Sequence, residues 1–373
     1  MTLLFSPLTI RGTTFANRAW LAPMCQYSAT DGSPNDWHLV HLGARAAGGF
    51  GLVIAEATAV VPEGRISPQD TGLWHEGHVA QWRRITDFVH ARGTKVGVQL
   101  AHAGRKASTY RGFDGPRGSV PPDDGGWQTV GPSSLPFPGY AAPRELTIEQ
   151  IGAIPGAFAA AAVRADRAGF DVVELHAAHG YLLHQFLSPL SNDRVDDYGG
   201  SPENRARLLV ETVDAVRAAW PADKPLFVRL SATDWVEGGL AVAEVALVAK
   251  ELGAHGVDLL DVSTGGNAPA TIPVGPGYQV PAAREVRETS GLPVAAVGLL
   301  TDPLQAEAVL VDGSADAVLL GREGLRDPFW PLRAAHELGV PTSALPVDPG
   351  TADVVTGTVE TGWQAPYVRG TWV

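Results

Sequence analysis

Gly169-Phe-Asp-Val-Val-Glu-Leu-His-Ala-Ala-His-Gly-Tyr181 carries three signals in one stretch. Gly169 stands where a preceding helix should cap. Asp171–Leu175 is a short apolar, β-branched run that reads as a strand. Two histidines and a tyrosine follow it at once. Apart from Asp171 and Glu174 the run is apolar on both faces, as expected for a parallel strand buried on both sides.

The pattern recurs outward in both directions. Similar runs lie at Ala19–Ala22, Gly51–Ala57, Lys95–Leu100, Leu226–Leu230, Val257–Val262, Val294–Val297 and Asp316–Leu320, which with Asp171–Leu175 makes eight. Stretches of helical periodicity separate them, near 38–48, 77–92, 147–168, 202–219, 240–253, 280–290, 302–312 and 328–338. Start signals support several: Thr147 with Gln150 forms a capping box, and Ser201-Pro202 and Asp302-Pro303 are N-cap and N1 pairs. Gly93, Gly169, Gly253 and Gly291 fall at expected helix ends. Eight β/α alternations predict a (β/α)8 TIM barrel over residues 1–338, with a doubly wound open sheet as the alternative. Two regions break the rhythm. Residues 104–146 form a Gly- and Pro-rich insert of lid or binding-loop length. Residues 339–373 form an irregular tail with Trp363, Tyr367, Arg369 and Trp372, either frayed or docked on its own barrel or a neighbouring subunit.

Composition narrows the function classes. The 373 residues carry a formal charge of −12 and are 45% hydrophobic. Such acidity argues against nucleic acid or an anionic membrane as partner. No apolar run is long enough to span a bilayer, and the N-terminus lacks a secretory pattern, so a cytoplasmic protein is expected. Cys25 is the single cysteine, which excludes an internal disulfide and any cluster ligated by several thiolates.

In a TIM barrel the chemistry sits at the C-terminal ends of the strands. There the sequence places Pro23-Met-Cys-Gln-Tyr27, Ala57-Thr58, Gln99 with His102, the His176–Tyr181 segment, Arg229-Leu-Ser231, Ser263-Thr-Gly-Gly266, Gly298 and Gly321-Arg322. Gly298 and Gly321-Arg322 end the last two strands, where this fold binds phosphate; glycine lets the backbone approach and arginine grips the anion. Arg229, in a buried strand, needs an internal partner, Glu174 or Glu56, or a ligand. His176 and His179, with His184 nearby, could suggest zinc, but no HExxH-type pattern accompanies them. A ligand-facing imidazole pair is the better reading, since two donors can polarise a carbonyl or bind an oxyanion. Tyr181 adds a phenol able to deliver a proton, or simply a large packing residue.

Taken with their order, these motifs are specific. Ala22-Pro-Met-Cys-Gln-Tyr27, Gln99-Leu-Ala-His-Ala-Gly-Arg-Lys106, Glu174-Leu-His-Ala-Ala-His-Gly-Tyr181, Phe186-Leu-Ser-Pro-Leu-Ser-Asn192, Tyr198-Gly-Gly-Ser-Pro-Glu-Asn-Arg205, and Gly321-Arg322 before Asp327-Pro328 appear in sequence. The chain resembles the old yellow enzyme family of FMN-dependent ene-reductases, in its thermophilic-like bacterial branch, from Phe5 to about Asp327. The resemblance implies FMN across the barrel mouth, with Ala22, Pro23, Met24, Cys25, Ala57, Gln99 and Arg229 at the ring and Gly298, Gly321 and Arg322 at the phosphate. It implies NADPH or NADH as reductant and an enone or nitro-alkene as acceptor, reduced by a ping-pong mechanism. His176 and His179 would bind the acceptor oxygen, Tyr181 would donate the proton, Tyr27 would contact substrate, and Cys25 would tune the flavin. Arg369 looks like an arginine that in this branch reaches a neighbouring subunit's site, in a homodimer or homotetramer. The insert is longer than in compact members. The related dienoyl-CoA reductase type is not expected, because a lone cysteine cannot hold its iron–sulfur cluster. A non-catalytic flavin- or phosphate-binding barrel is the alternative from another class.

Overall fold

The computed structural model describes residues 2–113 and 115–341 together with Gln364 and Tyr367. Eight parallel strands close into a barrel in sequence order: β1 (Ala19–Leu21), β2 (Leu52–Ala59), β3 (Lys95–Ala101), β4 (Val172–Ala177), β5 (Leu226–Ser231), β6 (Leu259–Ser263), β7 (Val294–Val297) and β8 (Ala317–Leu320). Closure is made by β8 against β1, with Val318 opposite Ala19 and Leu320 opposite Leu21. This is the expected TIM barrel rather than an open sheet.

One helix follows each strand: α1 (Asp36–Ala47), α2 (Glu76–His90), α3 (Ile148–Arg167), α4 (Pro202–Ala219), α5 (Val242–Ala254), α6 (Val280–Ser290), α7 (Pro303–Val311) and α8 (Trp330–Glu337). Their starts follow the local chemistry. Thr147 and Gln150 form the reciprocal capping box of α3, Ser201 accepts from the Asn204 N–H, and Asp302 accepts from the Gln305 N–H. One expected end moves: Gly253 lies inside α5, and Gly256 takes the left-handed position beyond it. A Cβ at Gly253 would sit 3.2 Å from the Leu292 side chain, a close contact.

Strand alternation divides the core in two. Val173, Leu175, Val228, Leu230, Leu260 and Val262 face outward into one large cluster with the helices. Val172, Phe227 and Leu259 face inward, with Trp20, Leu52, Ile54 and Leu319, at the N-terminal end of the barrel. A hairpin missed by the sequence reading, Leu8–Ile10 with Thr13–Phe15, closes that end, and Phe15 packs 4.8 Å from Trp20. Two further short pieces escaped notice, the helices Leu182–Leu187 and Arg322–Arg326, each too short to show a period.

The insert is not structureless. Its Val130–Gly131 pairs in parallel with Arg144–Glu145, and Thr109 bridges Ser119. The Trp127 indole donates to the Glu63 carbonyl, and the Arg65 guanidinium lies between Trp74 and Trp127, at 5.4 and 4.9 Å. Such contacts supply the buried surface that a bare Gly/Pro loop lacks.

Candidate active site

The same alternation carries polar groups up the inside of the barrel. Above Val172 come Glu174 and His176; above Phe227 come Arg229 and Ser231; above Leu259 come Asp261 and Ser263. Residues two apart share a face, so an apolar floor implies that the next inward positions reach the mouth.

The segment after β4 is held on every side. His179 Nε2 and Ser263 Oγ are 2.7 Å apart, and the His179 N–H donates to Ser231 Oγ at 2.9 Å. His176 Nδ1 accepts from the Ala178 N–H at 3.3 Å, which leaves its Nε2 to carry the proton. The rings of His176 and His179 lie 5.2 Å apart, and that of Tyr181 is 4.8 Å from His176. His179 adopts φ 58°, a left-handed conformation that costs free energy and persists only when surroundings enforce it. The next residue, Gly180, must be glycine: a Cβ would stand 2.4 Å from the Gly266 oxygen. His184 does not join the other histidines. Its Nδ1 accepts from the Gly180 N–H at 2.9 Å, and its Nε2 meets Asp234 Oδ1 at 3.1 Å with both groups fully buried. His184 therefore supports the loop from behind, a role with no signal in the sequence.

Protonation follows from burial. Burial first, and then the Arg229 charge, push His176 and His179 well below the ordinary imidazole value, so both are neutral donors near neutral pH. Burial pushes the Tyr181 phenol well above its ordinary value, so it keeps its proton. The Cys25 thiol is likewise pushed up by burial and by the nearby Asp70 and Glu56 carboxylates, which makes it a protonated thiol rather than a thiolate. Tyr27 is raised too, mainly by Cys25.

Arg229 pairs with neither expected carboxylate. Its Nε is 2.9 Å from Asp261 Oδ2, because Asp261 stands directly opposite it on β6. Glu174 instead accepts from Gln99 Nε2 at 2.8 Å. Glu56, at the register shift in β2, faces His38 at 3.0 Å and accepts from the Gln26 N–H at 2.9 Å. Among the described residues the terminal nitrogens of Arg229 make no hydrogen bond. They remain available to a bound group.

The mouth fits a flavin nucleotide. A cavity of about 170 Å³ at the ends of β7 and β8 is lined by Gly298, Leu299, Thr301, Gly321 and Arg322. Gly298 has φ 128°, and a Cβ there would press on Gln279 Nε2 at 3.0 Å. Arg322 is exposed at this cavity with no carboxylate partner among the described residues, as suits a phosphate. On the opposite side Ala57 is buried with Ala101 and Ala103, and Cys25, Tyr27 and Tyr181 pack against them. Small and flat side chains of this kind leave room for a planar ring. Cys25 and Ala57 thus lie on one side of the mouth and Gly298, Gly321 and Arg322 on the other. Arg369, Trp363 and Trp372 lie outside the described residues. Gln364 is buried and accepts from Arg92 at 2.8 Å, and Tyr367 packs 5.8 Å from Phe329, so at these two positions the tail is docked on its own barrel.

A closed barrel that brings two histidines, a phenol, an arginine and a glycine-lined cavity to one rim has the architecture of a TIM-barrel oxidoreductase. The chain belongs to the NADH:flavin oxidoreductase / NADH oxidase family, whose model matches residues 3–340. It is 49% identical over 346 residues to the NADPH dehydrogenase of Geobacillus sp. (strain WCH70), covering 92% of this chain and 96% of that one. Among solved structures it is similar to morphinone reductase, with TM-score 0.77 and 31% identity over 97% of this chain and 95% of that one. It is also similar to the old yellow enzyme homologue from Zymomonas mobilis, with TM-score 0.76 and 28% identity over 97% and 96% of the two chains. The chain is accordingly an oxidoreductase of the old yellow enzyme type, with FMN as cofactor and NADPH or NADH as reductant. No helix among the described residues is long and apolar enough to cross a membrane.

Proposed function

We propose that this enzyme reduces the activated C=C bond of α,β-unsaturated carbonyl or nitro compounds in a ping-pong cycle, reductant and acceptor occupying one site in turn. The observation that carries this reading is the grouping of two neutral imidazoles with a protonated phenol, ring centres 4.8 to 5.2 Å apart. FMN held at this mouth would supply the hydride chemistry linking NAD(P)H to the acceptor's β-carbon. In this reading Ala22, Pro23, Met24, Cys25, Ala57, Gln99 and Arg229 hold the ring, and Gly298, Gly321 and Arg322 hold the phosphate.

His176 and His179 hydrogen-bond to the acceptor oxygen and stabilise the charge that grows on it. Neutral imidazoles suit this task, since they donate without losing a proton. Tyr181 gives its proton to the α-carbon and is reprotonated from solvent, because burial disfavours the phenolate. Tyr27, left-handed at φ 49°, lines the acceptor space beside Cys25. The barrel, residues 1–338, forms one unit. We further propose a cytoplasmic homodimer or homotetramer whose tail, 339–373, brings Arg369 to a neighbouring subunit; unchanged assembly and acceptor affinity after truncation beyond Ala365 would remove that idea.

The central test is Tyr181→Phe in the FMN-loaded enzyme. Reduction of the enzyme by NADPH should change little, while cyclohexenone reduction should slow by about 100-fold. Equal losses in both half-reactions would overturn the proton-donor role.

A further inference from the structure

Lys106 is a cation that the mechanism above leaves unused. It lies in the turn Gly104–Lys106 after β3, at the root of the insert. Its Nζ donates to the His179 oxygen at 2.8 Å and to the Gly266 oxygen at 2.9 Å, tying the loops after β4 and β6 together. The same ammonium stands 5.1 Å from the centre of the Tyr181 ring and 4.7 Å from that of Phe137 in the insert. Among the described residues no carboxylate pairs with it. An ammonium away from water needs compensation, and here two carbonyl dipoles and two aromatic faces provide it. Arg105 fastens the same parts, donating to the Leu135 carbonyl at 3.2 Å and to the Asn267 carbonyl at 2.6 Å.

Two demands of the reaction converge on this spot. The left-handed His179 peptide must be held so that its ring stays on Ser263. The Tyr181 oxygen, in dry surroundings, becomes negative once its proton leaves. A fixed positive charge costs no reorganisation at that moment.

We propose that Lys106 is a positioning residue of the acceptor site: it holds the His179 peptide in its left-handed turn and sets a compensating charge against the Tyr181 ring, with Phe137 of the insert shielding that charge from water. The second half rests on the reading of Tyr181 as proton donor; the first does not.

Burial, and then Arg105, push the Lys106 pKa down to about 8. The ionisable groups around it are Arg105 on its own turn, His176, His179 and Tyr181 from the end of β4, and Tyr140 of the insert near Tyr181. Near pH 8 the two histidines are neutral and Tyr181 is protonated, so Lys106 is the member of this group that titrates there. Asp70, which is near Tyr181, and Glu174, beside Arg229, are also raised to about 8 and are the competing explanations for a change in that range; an upward move of the fall in Lys106→Arg separates Lys106 from both.

The experiment follows anaerobic cyclohexenone reduction by the NADPH-reduced holoenzyme from pH 6 to 10. Wild-type rate should fall as pH rises through about 8. Lys106→Arg, which stays charged, should move that fall up by a unit or more, whereas Asp70→Asn should leave it in place. Lys106→Met should lower the rate at pH 7 by about tenfold and abolish the fall. It should also weaken phenol binding, read from the long-wavelength charge-transfer band, by about fivefold. A Lys106→Met enzyme with wild-type rate, pH profile and phenol affinity would overturn the proposal. If that variant loses its flavin, Lys106→Arg decides, since an unmoved fall would be equally fatal. A Tyr181→Phe enzyme of wild-type rate, with phenol binding still dependent on Lys106, would sink the proton-donor reading and leave the His179-holding role standing.

Discussion

The floor and the mouth of the barrel are built by the same strands and obey opposite rules. At the floor Phe15, Trp20 and Phe227 fill the interior with Ile54, Val172 and Leu259, and Trp20 stacks on Phe227 at 5.9 Å. Two residues further along the strands the interior holds Glu174, Arg229 and Asp261, all buried, with Glu174 Oε2 and Asp261 Oδ1 lacking hydrogen bonds and Asp261 Oδ2 held by its ion pair with Arg229. The floor stabilises by burying apolar area; the mouth spends part of that stability on charges kept dry for a ligand. Burial, and the neighbouring Asp261, push the Glu174 carboxyl up, with Arg229 opposing. A fold that tolerates such groups at one end must be secured at the other.

That contrast can be broken in three ways, in order of expected effect. Trp20→Ala should empty the floor and cost about 3–5 kcal/mol in denaturant unfolding, while folded enzyme keeps its NADPH half-reaction. A loss below about 1 kcal/mol would mean that the hairpin and Phe227 collapse into the gap, and that the floor is not the securing element. Asp234→Ala removes a fully buried partner of His184, along with its bonds to Ser188 at 2.6 Å and the Leu240 N–H at 3.0 Å. It should cost about 3 kcal/mol and, unlike the floor variant, reduce enone turnover in the protein that remains folded. Full turnover would show that His184 does not hold Gly180 in place.

The smallest effect concerns pH. Burial first, and then Glu56, raise the Asp70 carboxyl to about 8, against hydrogen bonds from Ile66 and Ser67. A carboxyl raised on folding contributes stability that is complete below its unfolded value near 4 and is lost as pH rises through 8. Asp70→Asn should therefore gain on wild type as pH rises from 6 to 7, by no more than about 1.4 kcal/mol over that one unit. Parallel stability profiles for the two proteins would refute the assignment. Trp20→Ala, by contrast, should lose the same amount at every pH.

The helices were legible because each shows a period and is punctuated by caps such as Thr147 and Ser201, and the barrel strands, even the three-residue β1, because they read as unbroken buried apolar runs. The hairpin Leu8–Phe15 was not, since its three-residue strands have no period to detect, and only the barrel floor gives Phe15 a reason to be there. The histidine pair and Tyr181 were legible from their place after the fourth strand. The partner of Arg229 was not, because Glu174, Glu56 and Asp261 are all acidic residues on barrel strands. Only strand register sets Asp261 opposite Arg229.

The sequence by itself determined the barrel, the rim on which the chemistry lies and the residue types available there, because periodicity and capping are local properties. Tertiary structure alone decided the pairings: Arg229 with Asp261, His184 with Asp234, and Lys106 with the His179 and Gly266 oxygens. These partners are up to 160 residues apart in the chain. Burial then raises the Asp261 carboxyl and lowers the Lys106 ammonium, since the cost of a dry charge depends on what surrounds it in space rather than on what precedes it in sequence.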